Sequence, residues 1–126
     1  MIKQLVIEIK DEKEGEDIFF DRVLFAEVWN PAIDIYETDE AIILLIELPG
    51  VKPADMNLSL NKQQNVLHIW GKRKSPLKTE GKNCHTMELH FGTFSRYVKL
   101  LAKVKVDKAE LENMNGIFKI TFKKKK

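Results

Sequence analysis

The sequence predicts an all-β protein, an antiparallel sandwich or barrel, on three observations. Apolar residues recur at every second position over much of residues 33–122, which is the pattern of strands with one buried face. Pro, Gly, Asn and Asp break those stretches at short intervals, as turns do. Only one stretch, residues 18–25, has a helical distribution of apolar side chains, so strands must supply the core.

The elements follow in order. After the break at Trp29-Asn30-Pro31, Ile33 and Ile35 alternate with Asp34 and Tyr36, and Glu37-Thr38-Asp39-Glu40 forms a polar turn. Residues 41–48, AIILLIEL, are apolar on both faces and suit a central strand. Pro49-Gly50 ends it, because proline lacks a ladder donor and glycine permits the turn. Met56, Leu58 and Leu60 alternate with Asn57, Ser59 and Asn61, which predicts one wet face. A polar turn over 61–65 leads into Val66 to Trp70, closed by Gly71.

Residues 72–83 are polar, carry Pro76 and Gly81, and are expected to be a loop. Met87, Leu89 and Phe91 then alternate with Glu88 and His90, Gly92 interrupts, and residues 94–101 resume. Val104 and Val106 precede residues 107–113, a short strand or one helical turn. Asn115-Gly116 is a two-residue hairpin signal, and the last strand points Phe118, Ile120 and Phe122 inward.

A chain of 126 residues suits one domain, and 44% hydrophobic with 32% charged residues is ordinary for a globular one. The longest clean apolar run, residues 41–46, is far short of the roughly 20 residues of a membrane span. The start has neither a basic flank before an apolar block nor a small-residue cleavage site, so the expected location is the cytoplasm. One cysteine, Cys84, cannot form an internal disulfide.

Charge is uneven. The first thirty residues hold four basic and eight acidic side chains, and Lys123 to Lys126 close the chain. A nucleic-acid binder spreads Lys and Arg over a face of its domain, often with stacking aromatics. Four terminal lysines are instead expected to solvate the end of the last strand and discourage edge pairing. Nucleic-acid binding through them stands as a distant alternative.

Metal and enzyme chemistry find little support. Cys84 and His90 are six residues apart, about 20 Å on a strand, and His85 points away from His90. Cys84 and His85 are adjacent and face opposite sides, so they make no catalytic pair. Glu110 and Glu112 share a face if extended, with nothing beside them to suggest acid-base work. No catalytic residue, metal or cofactor is expected.

In order along the chain stand Pro31; Asp34-Ile35 and Glu37; Glu47-Leu48-Pro49-Gly50-Val51; Leu67, Ile69, Gly71 and Arg73; Glu88 with Gly92-Thr93-Phe94-Ser95-Arg96; Leu100; and Asn115-Gly116-Ile117. This series resembles the α-crystallin domain of small heat-shock proteins of the microbial type. The resemblance implies an immunoglobulin-like β-sandwich of seven to nine strands over residues 30–124. An arm, residues 1–29 with a short helix, would precede it, and a basic remnant, residues 125–126, would follow without the Ile-x-Ile/Val motif of cage-forming members.

It also implies an ATP-independent holdase that binds partly unfolded clients through apolar surface, and no glycine-rich phosphate loop argues otherwise. Two client surfaces follow. One is the arm, with Ile18, Phe19, Phe20, Val23, Leu24, Phe25, Val28 and Trp29, for which packing on its own domain is an equal alternative. The other is a peptide groove between Met56, Leu58 and Leu60 on one strand and Ala109 and Leu111 on another. Leu111 stands where the family carries alanine, and its bulk is expected to fill part of that groove.

The loop between Lys72 and His85 has the length of the type that passes a strand to a neighbour, which implies a strand-exchanged homodimer or small oligomer with Arg96 as a dimer contact. Its groove is expected to be uncapped by its own tails. A co-chaperone sandwich of the CS-domain kind, docking on one folded partner, is the alternative; the 92–96 stretch and the long loop favour the heat-shock family.

Overall fold

Alternation in the sequence becomes two stacked sheets whose inner faces meet in one core. The computed structural model describes residues 2–4, 7–10 and 28–125. Nine strands lie among the described residues: β1 (Ile2–Gln4), β2 (Glu8–Lys10), β3 (Ile33–Glu37), β4 (Ala41–Glu47), β5 (Met56–Asn61), β6 (Val66–Arg73), β7 (Gly92–Lys99), β8 (Glu110–Met114) and β9 (Ile117–Lys123). The first sheet runs β1-β8-β9-β4-β3 and the second β2-β5-β6-β7. Each described pairing between strands is antiparallel except β2 with β5, which is parallel.

Register decides which side chains meet. Across β4 and β9, Ile42 faces Phe122, Leu44 faces Ile120 and Ile46 faces Phe118, and all six are buried. Across the second sheet, Leu58 pairs with Ile69, Leu60 with Leu67, and Leu67 with Val98. These rows are the inner faces of the sandwich, and burying each such side chain contributes about 1.5–3 kcal/mol. β4 is central as expected, with its outward residues Ile43 and Leu45 half-buried.

Turn chemistry matches local sequence. Asn115 and Gly116 both have positive φ (55° and 93°), the geometry of the tight β8–β9 hairpin. That hairpin is anchored where the Leu48 N–H donates to the Gly116 carbonyl at 2.8 Å. In the β5–β6 turn, the Asn61 carboxamide oxygen accepts from the N–H groups of Asn65 (2.9 Å) and Val66 (3.0 Å).

Three details depart from the sequence expectation. The face of β5 predicted to be wet is dry at Ser59 and Asn61; Asn61 satisfies its amide within the turn, and Ser59 lies between Glu8 of β2 and His68 of β6. Residues 107–113 are both of the offered alternatives in succession, a 3₁₀ turn (Val106–Lys108) followed by β8. Met87, Leu89 and Phe91 form no strand among the described residues. The expected helix at residues 18–25 lies outside the described residues.

Gly71 is where the second sheet is tightest. A Cβ there would lie 2.1 Å from the Asp55 carbonyl oxygen and 2.7 Å from the Phe94 ring, which fills the space above the glycine. Gly71→Ala is therefore expected to destabilise the fold by about 3 kcal/mol, the upper part of the overpacking range, as read by urea denaturation with an unchanged slope.

Candidate binding groove and assembly surfaces

The groove anticipated between Met56, Leu58 and Leu60 on one side and Ala109 and Leu111 on the other exists as a seam between the two sheets. All five side chains are buried in the core. Leu60 and Ala109 are fully inaccessible. Two short strands at the start of the chain lie along its rims. β1 lies antiparallel on the free edge of β8, with Lys3 opposite Leu111, and β2 lies parallel on the free edge of β5, with Ile9 opposite Leu60. Between them Ile7 is buried and joins the core cluster.

Residues 2–4 and 8–10 thus pair along both rims of the groove, which the sequence expectation of a groove uncapped by its own tails did not include. The available signal was Ile7-Glu8-Ile9-Lys10, a period-two stretch too short to stand out in an acidic region. Leu111 is buried opposite Ile120, so its bulk fills core volume.

The far edge of the first sheet is formed by β3. β3 is the outer strand of its sheet and pairs only with β4 among the described residues. Ile35 sits across from buried Leu44 yet is 49% exposed, and Tyr36 is exposed beside it. In the loop that follows β6, Met87 is 79% and Leu89 71% exposed, and Leu77 is exposed as well. Arg96 lies on the inner side of β7, across from Ile69. It is half-buried and donates to the Pro31 carbonyl at 3.3 Å, its one hydrogen bond among the described residues.

Arg73, at the end of β6, fastens the far end of that loop. Its guanidinium donates to the His90 carbonyl (2.8 Å from Nε) and to the Pro49 carbonyl (3.2 Å). It also lies 4.4 Å from the centre of the Trp29 ring system and 5.3 Å from that of Phe91. Trp29 stacks on His90 and leans on Phe94, and its backbone bridges Thr93 and Ser95. Trp29, expected among client-binding residues, is thus half-buried and engaged in packing; Val28 is half-buried too. Ile18, Phe19, Phe20, Val23, Leu24 and Phe25 lie outside the described residues.

Within the lysine run, Lys123 and Lys125 are exposed and Lys124 is half-buried. Lys123 belongs to β9, Lys124 pairs with Glu37, and the Lys125 N–H donates to the Lys103 carbonyl at 2.9 Å. Cys84 is exposed, with its thiol donating to the Thr86 carbonyl. Among the described residues, no three His, Cys, Asp or Glu side chains gather as metal ligands, and no helix is long and apolar enough to cross a membrane.

Residues 34–126 match the Hsp20/alpha crystallin family. The chain belongs to that family. It is 34% identical over 95 residues to small heat shock protein C2 of Rickettsia felis, a match covering 75% of this chain and 60% of that one. Among solved structures it resembles heat shock protein 16.0 from Schizosaccharomyces pombe (33% identity, TM-score 0.65, 78% of this chain and 88% of that one). It also resembles hspA from Xanthomonas axonopodis (29% identity, TM-score 0.67, 79% and 97%). The matched stretch spans 46% to 66% of the curated relatives' length.

Membership in the Hsp20/alpha crystallin family agrees with the sandwich and with the expectation of a chaperone-type protein that is not an enzyme. The family motif residue Arg73 was visible in sequence, but its partners were not, since Trp29, Pro49 and His90 are brought to it only by the fold. Arg73→Ala is expected to cost about 1–3 kcal/mol and to shift Trp29 fluorescence toward the red as the loop end frees. Arg73→Lys, which keeps the charge but loses the planar fork, is expected to restore less than half of the loss in the same denaturation measurement.

Proposed function

We propose that this Hsp20/alpha crystallin family chain is an ATP-independent holdase that binds partly unfolded proteins in the cytoplasm and keeps them from aggregating. The observation that carries it is the family match over the sandwich, residues 34–126, in a sequence without a G-x-x-x-x-G-K phosphate loop. Clients of such a protein are recognised by their exposed apolar surface, and Leu77 and Leu101 offer apolar surface in return. The arm residues Ile18 to Phe25 belong to the same proposal.

The working unit is a strand-exchanged homodimer. The alternating Met87, Leu89 and Phe91 lack a ladder in their own chain, while β3 offers an open edge with exposed Ile35. A neighbour's residues 87–91 on that edge would satisfy both, by strand addition. Arg96, with donors to spare near Pro31 at the start of β3, then meets a carboxylate or carbonyl of the neighbour in a charge-assisted contact.

Two measurements decide these points. Light scattering of a heated client with equimolar protein and no nucleotide is expected to show suppressed aggregation; undiminished scattering would favour a CS-type docking module. Sedimentation at micromolar concentration is expected to give a dimer or small oligomer, and Leu89→Asp to shift it to monomer, because a charge would be buried in the exchanged ladder. A monomeric parent chain would refute the exchange.

A further inference from the structure

The fold brings the lysines at the end of β9 to a second pair of lysines. The Lys105 N–H donates to the Lys123 carbonyl at 2.8 Å and the Lys125 N–H to the Lys103 carbonyl at 2.9 Å, on either side of an antiparallel bridge between Val104 and Lys124. That register sets Lys103 opposite Lys125 and Lys105 opposite Lys123. Residues facing each other on such a pair of strands have Cβ atoms about 5 Å apart and share one side of the ladder. Burial shows which side it is. Val104 is buried, Ala102 and Lys124 are half-buried, and Lys103, Lys105, Lys123 and Lys125 are exposed.

Like charges directly across a ladder destabilise it, and two such pairs stand next to each other. Among the described residues the ion pair at this end of the sandwich is Lys124 with Glu37, and Lys124 alternates away from the other four lysines. Carboxylates stand only at the rim, on Asp107 in the 3₁₀ turn that follows and on Glu40, whose backbone carbonyl takes the Lys124 N–H. The whole chain carries +2, so four cations on one face are a local excess. We propose that the ladder formed by residues 103–105 and 123–125 is a docking face for an anionic lipid surface, its lysines on the phosphate headgroups and Leu101 in the apolar boundary beneath them.

Two observations choose lipid over nucleic acid. Leu101, on the same outward alternation as Lys103 and Lys105, is 81% exposed, the most exposed large apolar side chain among the described residues. An apolar side chain beside long cationic ones suits a bilayer interface, where the leucine sinks and the ammoniums stay at headgroup level. Interleaved with the lysines are Ala102, Val104 and Phe122, all turned inward, with Phe122 fully buried. The ladder therefore offers no ring on which a base could stack. The lysine run supplies one half of the face, and Lys103 and Lys105, in the segment after β7, supply the other.

The test is sedimentation of the full chain with vesicles of phosphatidylglycerol and phosphatidylcholine in equal parts, beside vesicles of phosphatidylcholine alone. The chain is expected to go down with the first and stay in solution with the second, and to be released when salt shortens the Debye length to about 3 Å. A lysine close to an anionic surface contributes about fivefold in affinity, so Lys105→Gln with Lys123→Gln is expected to bind about 25-fold more weakly. Leu101→Ser is expected to weaken binding and leave its salt dependence unchanged. The double variant is expected to keep a urea midpoint no lower than the parent's, since an opposed pair of like charges is gone, and to protect a heated client as the parent does.

Equal binding to the two kinds of vesicle, or unchanged affinity in the double variant, overturns the docking face. So does a lowered urea midpoint, which would make the lysines part of the fold, and so does lost client protection, which would make them part of the client surface. An oligonucleotide that binds more tightly than the anionic vesicles at the same salt, and is indifferent to Leu101→Ser, overturns it in favour of nucleic acid.

Discussion

A β-sandwich leaves open strand edges, and an unpaired ladder edge is a template for any other extended chain. Much of what distinguishes this molecule follows from how its edges are treated. Residues 2–4 pair with β8 and residues 8–10 with β5. Beside β7, the Trp29 backbone makes a short parallel bridge to Phe94. β3 is left open, with apolar Ile35 exposed on the side that faces the core elsewhere along the sheet. Two edges are thus paired by short strands of the same chain, and a third, β3, has one neighbour among the described residues.

The two ends of the long loop after β6 are tied to this treatment of edges. At its start and finish, Arg73 and His90 are joined directly, and the same guanidinium reaches Pro49 beside the β8–β9 hairpin and lies against Trp29. The base of the loop is therefore registered to the sandwich. Gly71 contributes from below: without a side chain it lets Phe94 lie flat across β6, and Phe94 in turn supports Trp29. The indole N–H of Trp29 is buried without an acceptor among the described residues, a cost that the packing around it must offset.

How much of this the sequence discloses depends on how local the cause is. Alternation in Met56 to Asn61, the Pro49-Gly50 break and the Asn115-Gly116 hairpin each act within a few residues, and the strands they predict are present. The closing of the groove was not legible, because Ile7 and Ile9 form a pattern of four residues whose meaning comes from two distant edges. The dryness of Ser59 was hidden for the same reason. The partners of Lys124 and of the Lys125 backbone, Glu37 and the Lys103 carbonyl, were not legible because they are remote in sequence. Arg96 was singled out through family resemblance, and its contact with Pro31 is a product of the fold.

The pairing of β4 with β9 has a consequence for how the chain is made. Glu47 is opposite Ile117, about seventy residues later, so β4 is synthesised long before the strand that shields its flank. At about 5–20 residues per second that interval is several seconds. Throughout it the run from Ala41 to Ile46, apolar on both faces and free of charge, is the kind of segment that nucleates cross-β association. Its early neighbour β3 can cover one side through a four-residue turn, leaving the other to wait. Nascent copies of this chain on one messenger therefore meet, during their own birth, the hazard from which a holdase protects others.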